Sequence, residues 1–195
     1  MADYGVEPNS VLHLIVMLYA IPTGLDNIVF DLFWTYPQSG CDYLDASVLL
    51  YSGNKFIEVV DYRRTESIVC NSVRHSGDVM DHKKRLGHHT IWVNFKTMVP
   101  QVNKLFFTLS AWESPNISKY PNPSLKCFDP KEPHKQLCSD KMDHAAYSQA
   151  IIMCAACKLD GCWKIFSVRT LSAGNAKNYG PLRSKISNLI AENKV

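Results

Sequence analysis

Apolar residues recur at every second position along most of this chain, in short runs broken by polar turns, the period of half-buried strands. Within residues 10–21, Leu12, Leu14, Val16 and Leu18 form one face, while His13, Met17 and Tyr19 take the other. Ile28, Phe30, Leu32 and Trp34 then alternate with Val29, Asp31 and Phe33, and the turn-like Pro37-Gln38-Ser39-Gly40 follows. Residues 46–51 and 55–62 flank Ser52-Gly53-Asn54, a compact hairpin connection in which the glycine or the asparagine takes a positive φ. The alternation stops over a polar segment, residues 63–89. It resumes at Ile91, Val93 and Phe95 and again at Leu105, Phe107, Leu109 and Ala111, with Pro100 marking a turn between these runs.

Residues 113–147 carry five prolines (Pro115, Pro121, Pro123, Pro130 and Pro133) and predict ordered irregular structure with a short edge strand at 125–128. A hairpin follows: residues 150–158, the tight-turn pair Asp160-Gly161, then residues 162–169. The exposed face of its first strand is a candidate surface for dimerisation. Beyond it the period changes. Leu182, Ile186, Leu189 and Ile190, after Gly180-Pro181, predict one amphipathic helix with proline in its first turn. With no internal repeat and no linker, the expected fold is all-β: a β-sandwich with a short C-terminal α-helix, one domain over residues 1–195.

Composition narrows the function classes. At 195 residues and 46% hydrophobic content, the chain can build a substantial core. Its 21 Lys+Arg against 18 Asp+Glu leave a formal charge of +3, which by itself makes no case for nucleic acid or anionic lipid. Seven cysteines are an odd number, and the core needs no staples, so reduced thiols and a cytoplasmic protein are expected. The run VLHLIVMLYAI follows Asp3 and Glu7 where a signal peptide has basic residues, and it is too short to span a bilayer.

The chemistry-bearing residues cluster in Ser72-Val73-Arg74-His75-Ser76-Gly77-Asp78. A histidine near an aspartate and two serines raises a hydrolase-like reading with His75 as acid or base. However, no G-x-S-x-G elbow, G-x-G-x-x-G or P-loop pattern accompanies it. Cys154-Ala155-Ala156-Cys157, with Cys162 and Cys138, has zinc-like spacing. Residues three apart on a strand face opposite ways, so the zinc reading is disfavoured and buried or surface thiols are expected. Lys83-Lys84-Arg85, with Arg63, Arg64 and Arg74, could form a local basic face for nucleic acid or a phosphoinositide. The four tryptophans, Trp34, Trp92, Trp112 and Trp163, read first as core and second as a ligand platform.

The ordered segments IVFDLFW, DYLDASVLLY, NSVRHSGD, VPQVNKLFFTLSAWE and DGCWKIFSV resemble the TerD domain of tellurium-resistance and stress-response proteins, over about residues 25–168. The resemblance implies a sandwich of two sheets. It also implies calcium at one end of the sandwich, held by an acidic DLDxS segment and a loop of the form GDNxTGxGxGDDE. Asp45 and Ser47 match the first motif, but Tyr43 stands where its leading aspartate belongs and Asp42 is displaced by one position. Gly77 and Asp78 match the second, and Gly87 falls on its last glycine. His88, His89 and Thr90 replace its acidic trio, while Lys83, Lys84 and Arg85 bring positive charge where calcium needs carboxylates.

The expectation is therefore a non-enzymatic binding protein of this kind, whose former metal end serves as an interaction surface built from Arg74, Lys83, Lys84 and Arg85, with a protein as partner. The alternative is a calcium-regulated module retaining one site through Asp45 and Asp78, with Ser47, Gly77 and Asp42 or Asp81 in support. A soft-metal site from His75, His82, His88 and His89 is a weaker variant.

Overall fold

A computed structural model describes residues 16–22, 24–38, 43–141 and 147–193. In chain order the strands are β1 (Val16–Ala20), β2 (Asn27–Thr35), β3 (Leu44–Ser52), β4 (Lys55–Val60), β5 (Val73–His75) and β6 (Val79–Asp81). They continue with β7 (Leu86–Asn94), β8 (Lys104–Ala111), β9 (Ser124–Phe128), β10 (Gln136–Lys141), β11 (Ala150–Leu159) and β12 (Cys162–Ser172), and the helix α1 (Gly180–Ala191) closes the described chain. Two antiparallel sheets form a sandwich. Sheet one has the order β1-β12-β11-β8-β3-β4; sheet two has the order β10-β9-β2-β7-β5, with β6 also paired to β7.

The period-two runs fold as their pattern dictates. Ile28, Phe30, Leu32 and Trp34 of β2 point between the sheets and meet Val48, Leu50, Leu105, Phe107 and Leu109 from β3 and β8. The rings of Phe30 and Phe107 stack across the sandwich with centroids 3.8 Å apart. The two hairpin turns also follow the sequence. Gly53 has φ +58°, and Asp160 and Gly161 have φ values of 52° and 79°, the double positive-φ turn whose twist suits adjoining strands.

Sheet one departs from simple alternation. β3, β8 and β11 are buried on both faces because α1 lies across the outer side of the sheet. Leu49, Tyr51, Phe106, Ile152 and Ala155 pack there against Leu182, Ile186 and Leu189. The face of β11 expected to be exposed for dimerisation is thus covered by the chain's own helix. Cys154 and Cys157 do lie on opposite sides of β11, one in each apolar cluster.

Sheet two supplies the other corrections. The segment read as a polar connection, residues 63–89, contains β5, β6 and the first half of β7. Polar side chains at inward positions hid its period: Val73 and His75 on β5, and Gly87, His89, Ile91 and Val93 on β7, are all buried. β9 is an interior strand, paired on one side to β2 and on the other to the unforeseen β10. The stretch before Val16, and Asp42, lie outside the described residues. Among the described residues no helix is long and apolar enough to cross a membrane.

Candidate functional site

Two imidazoles tie the sheets together at one end of the sandwich. His75, from β5, and His89, from β7, both point inward and converge on the backbone of Ala46 in β3, their rings 4.7 Å apart. The Ala46 N–H donates to His89 Nδ1 at 3.0 Å, and the Ala46 carbonyl accepts from His75 Nε2 at 3.1 Å. The remaining nitrogens are used as well: the Gly77 N–H donates to His75 Nδ1 at 2.9 Å, and His89 Nε2 lies 3.0 Å from Asp78 Oδ1.

These partners fix the protonation state. Each Nδ1 faces a backbone donor and must carry a lone pair, so each proton sits on Nε2 and both rings are neutral. A second proton on either ring would set N–H against N–H inside the sandwich. Burial, with the adjacent His89, pushes the His75 pKa down to about 4. The hydrogen bond from His89 holds the Asp78 carboxyl below the usual carboxylate range. Gly77 belongs to this arrangement through its backbone: a left-handed φ of 70° swings its N–H onto His75.

The DLDxS-like segment serves a second network. Asp45 and Ser47 alternate with Ala46 and face the outer side of sheet one, and both are buried. The Ser47 hydroxyl lies 2.7 Å from the Tyr179 phenol, which donates to Asp61 Oδ2 at 2.9 Å. The same oxygen accepts from the Arg63 guanidinium at 3.2 Å, while Asp61 Oδ1 accepts the N–H groups of Arg63 and Arg64 at 2.9 and 3.0 Å. Burial, then the Asp61 charge, pushes the Tyr179 phenol far up. Tyr62 is pushed up as well, chiefly by its own burial; Arg63 opposes the shift, and the Asp45, Asp61 and Asp78 carboxylates reinforce it.

Asp61 and Tyr179 escape sequence inspection because the bond that joins them spans 118 residues. The local signal is Asp61 two and three positions before the N–H groups it caps. His75 and His89 carry a better signal, since each falls on the inward parity of its strand.

The basic stretch forms the turn between β6 and β7. Asp81 Oδ1 accepts the Lys84 N–H at 2.9 Å and Oδ2 lies 3.5 Å from the Lys84 ammonium; that first bond holds its carboxyl below the usual range. Arg85 takes φ +55°, donates to the Pro37 carbonyl and lies over the Tyr36 ring, whose hydroxyl is 3.1 Å from His82 Nδ1. Lys83 and Lys84 are left facing water. His88 points away from the core, opposite Val79 and Phe33. The four histidines of the soft-metal reading are therefore dispersed: His75 and His89 inside, His82 on Tyr36, His88 outside. Arg74 is also apart from the turn. It pairs with Glu66 at 3.4 Å and stands opposite Trp92, and from Leu86 to Trp92 the strand runs about 20 Å.

Several of the donors that calcium would use are already engaged. Asp61 uses both oxygens, the Ser47 hydroxyl bonds Tyr179, Asp78 bonds His89 and Asp81 bonds the turn. Among the described residues no three His, Cys, Asp or Glu side chains converge as a metal-ligand group. The Arg63 guanidinium, 3.2 Å from the Asp61 carboxylate, adds positive charge there, which disfavours a cation at that carboxylate.

A family model, the TerD domain, matches residues 16–178. A crystal structure of SAV2460, a protein of unknown function, superposes with a TM-score of 0.68 at 13% identity, covering 82% of this chain and 97% of that one. A homologue of the telluride-resistance protein TerD, SCO6318 from Streptomyces coelicolor A3(2), gives a TM-score of 0.66 at 12% identity, with coverage of 81% and 96%. No curated protein matches the chain by sequence.

Proposed function

Because the chain belongs to the family defined by the TerD domain, we propose that it acts as a non-enzymatic binding protein whose β6–β7 turn docks an acidic segment of a partner protein. The observation that carries this reading is the division of labour in residues 74–89. His75, His89 and Asp78 are consumed by the fold, while Lys83 and Lys84 are held in a fixed turn and face solvent.

A hydrolase built on His75 would need a free ring nitrogen and a nucleophile within reach, and both nitrogens are occupied by backbone groups. Ser76 and Ser72 bond elsewhere, to Gly77 and Thr90 and to Thr97. Metal-independent binding is supported by the bonds that Asp61, Asp78 and Asp81 already make. Nucleic acid or anionic lipid is less favoured than protein because the turn is small and Arg74 lies far from it.

The test is fluorescence anisotropy with a labelled poly-glutamate peptide. Binding should weaken as salt rises, and Lys83→Glu/Lys84→Glu should weaken it about tenfold or more. Unchanged affinity in that variant overturns the proposal. So does tighter capture of single-stranded DNA or phosphatidylserine vesicles than of the peptide, or a calcium-dependent rise in melting temperature that Asp45→Ala and Asp78→Ala both abolish.

A further inference from the structure

The outer face of sheet two carries a cleft of about 270 Å³ at the far end of β7 from the basic turn. Trp92, 42% exposed, forms part of its wall. The indole is set by its neighbours in register, Val29 on β2 and Arg74 on β5. An exposed tryptophan on a flat sheet offers a broad, rigid, weakly polar surface at little entropic cost.

Three side-chain amides surround it: Asn27, Asn71 and Asn94. Asn94 Oδ1 already accepts the N–H groups of Lys96 and Thr97, which fixes the amide plane and leaves its NH₂ to donate. Among the described residues the side chains of Asn27 and Asn71 make no hydrogen bond, so each offers both a donor and an acceptor. Arg74 is the one charged residue of the lining, and Glu66 at 3.4 Å balances it.

We propose that this cleft is a binding site for a neutral saccharide, stacked on Trp92 and hydrogen-bonded by the three asparagines. Vicinal hydroxyls each donate and accept, and amides answer both roles; the C–H face of a sugar ring answers the indole. A phosphorylated or carboxylated ligand would need uncompensated positive charge, which the lining lacks. The volume lies just below the usual range of ligand sites and suits one sugar ring, with a second reaching past the open side.

The experiment is an amide and indole N–H NMR titration with four pure disaccharides: maltose, cellobiose, mannobiose and diacetylchitobiose. Adenosine monophosphate serves as the anionic comparator. The expected result is saturable shifts of the Trp92 indole and Asn side-chain signals with at least one sugar. Trp92→Ala should weaken that response about tenfold, Trp92→Phe should retain part of it, and Asn71→Ala should weaken it without altering the fold. Three results overturn the proposal: silence with all four sugars, a sugar response that survives Trp92→Ala, or a stronger Trp92 response to the nucleotide. Because Trp92 is 42% exposed and outside the core, its variants should keep their circular dichroism, and loss of binding then reports the site itself.

Discussion

Residues 74–89 use similar side chains in two opposite ways. At the inner end, His75, His89 and Asp78 are spent on joining the sheets through Ala46; at the outer end, Lys83 and Lys84 face water, Lys84 paired only with the exposed Asp81. Both groups are polar and both lie close to glycines or turns. What separates them is strand parity. His75 and His89 fall on positions whose neighbours two residues away, Val73 and Ile91, belong to the core, whereas Lys83 and Lys84 fall where the chain reverses. A polar residue at an inward position is drawn into structure, and one at a reversal is left available.

The sharpest way to break that contrast is His89→Ala. It strands the Ala46 N–H in a dry interior and opens a hole against Trp34, whose ring centroid lies 5.0 Å from that of His89. A loss of about 2–4 kcal/mol in urea unfolding is expected. A loss below about 0.5 kcal/mol would place His89 with the surface residues.

Acidification tests the same link without mutation. The folded pKa of His75 is depressed to about 4 from an ordinary value of 6.5, so the unfolded chain takes up the proton first. Stability is then fully present above pH 6.5 and is lost as pH falls towards 4, by about 3 kcal/mol for His75 alone. The depressed Asp78 carboxyl extends the loss to lower pH in the same direction. Melting temperature against pH should fall through this window, and His75→Gln should flatten the fall; a profile unchanged between pH 7 and 4.5 would contradict the neutral-ring assignment.

The smallest effect belongs to the turn. Lys83→Glu/Lys84→Glu should change unfolding free energy by no more than about 0.5 kcal/mol, since exposed charges and their pairs contribute little. A larger loss would mean that the basic residues hold the β6–β7 hairpin together, and the division between structural and available residues would disappear.

The same logic explains what the sequence made legible. Wherever inward positions are apolar, as in β2, the first half of β12 and the 3.6-residue spacing of Leu182, Ile186 and Leu189, pattern and structure agree. β5 and the start of β7 were hidden because histidine and glycine stand in inward places, and β6 because its three residues, Val79, Met80 and Asp81, are too few to show a period. Gly87 is there for space: a Cβ at that position would come within 2.6 Å of the Trp34 ring. The resemblance drew attention to Asp45, Ser47, Gly77 and Asp78, but no local pattern could foretell that Tyr179 would bridge Ser47 and Asp61. Nor did alternation reveal that sheet one has a second covered face, because a strand buried on both sides looks the same whether a sheet or a helix covers it.

That second covered face sets where the chain can be cut. The family match ends at residue 178, two residues short of α1, yet Leu182, Ile186 and Leu189 shield Leu49, Tyr51, Phe106 and Ile152 from water. A fragment trimmed to the matched region would forfeit roughly 1.5–3 kcal/mol for each of those three helix residues. It would also present a broad, sticky sheet to every other copy in solution. The boundary recognisable by descent and the boundary of a soluble, self-sufficient piece are different, and a usable truncation must keep the chain at least through Ala191.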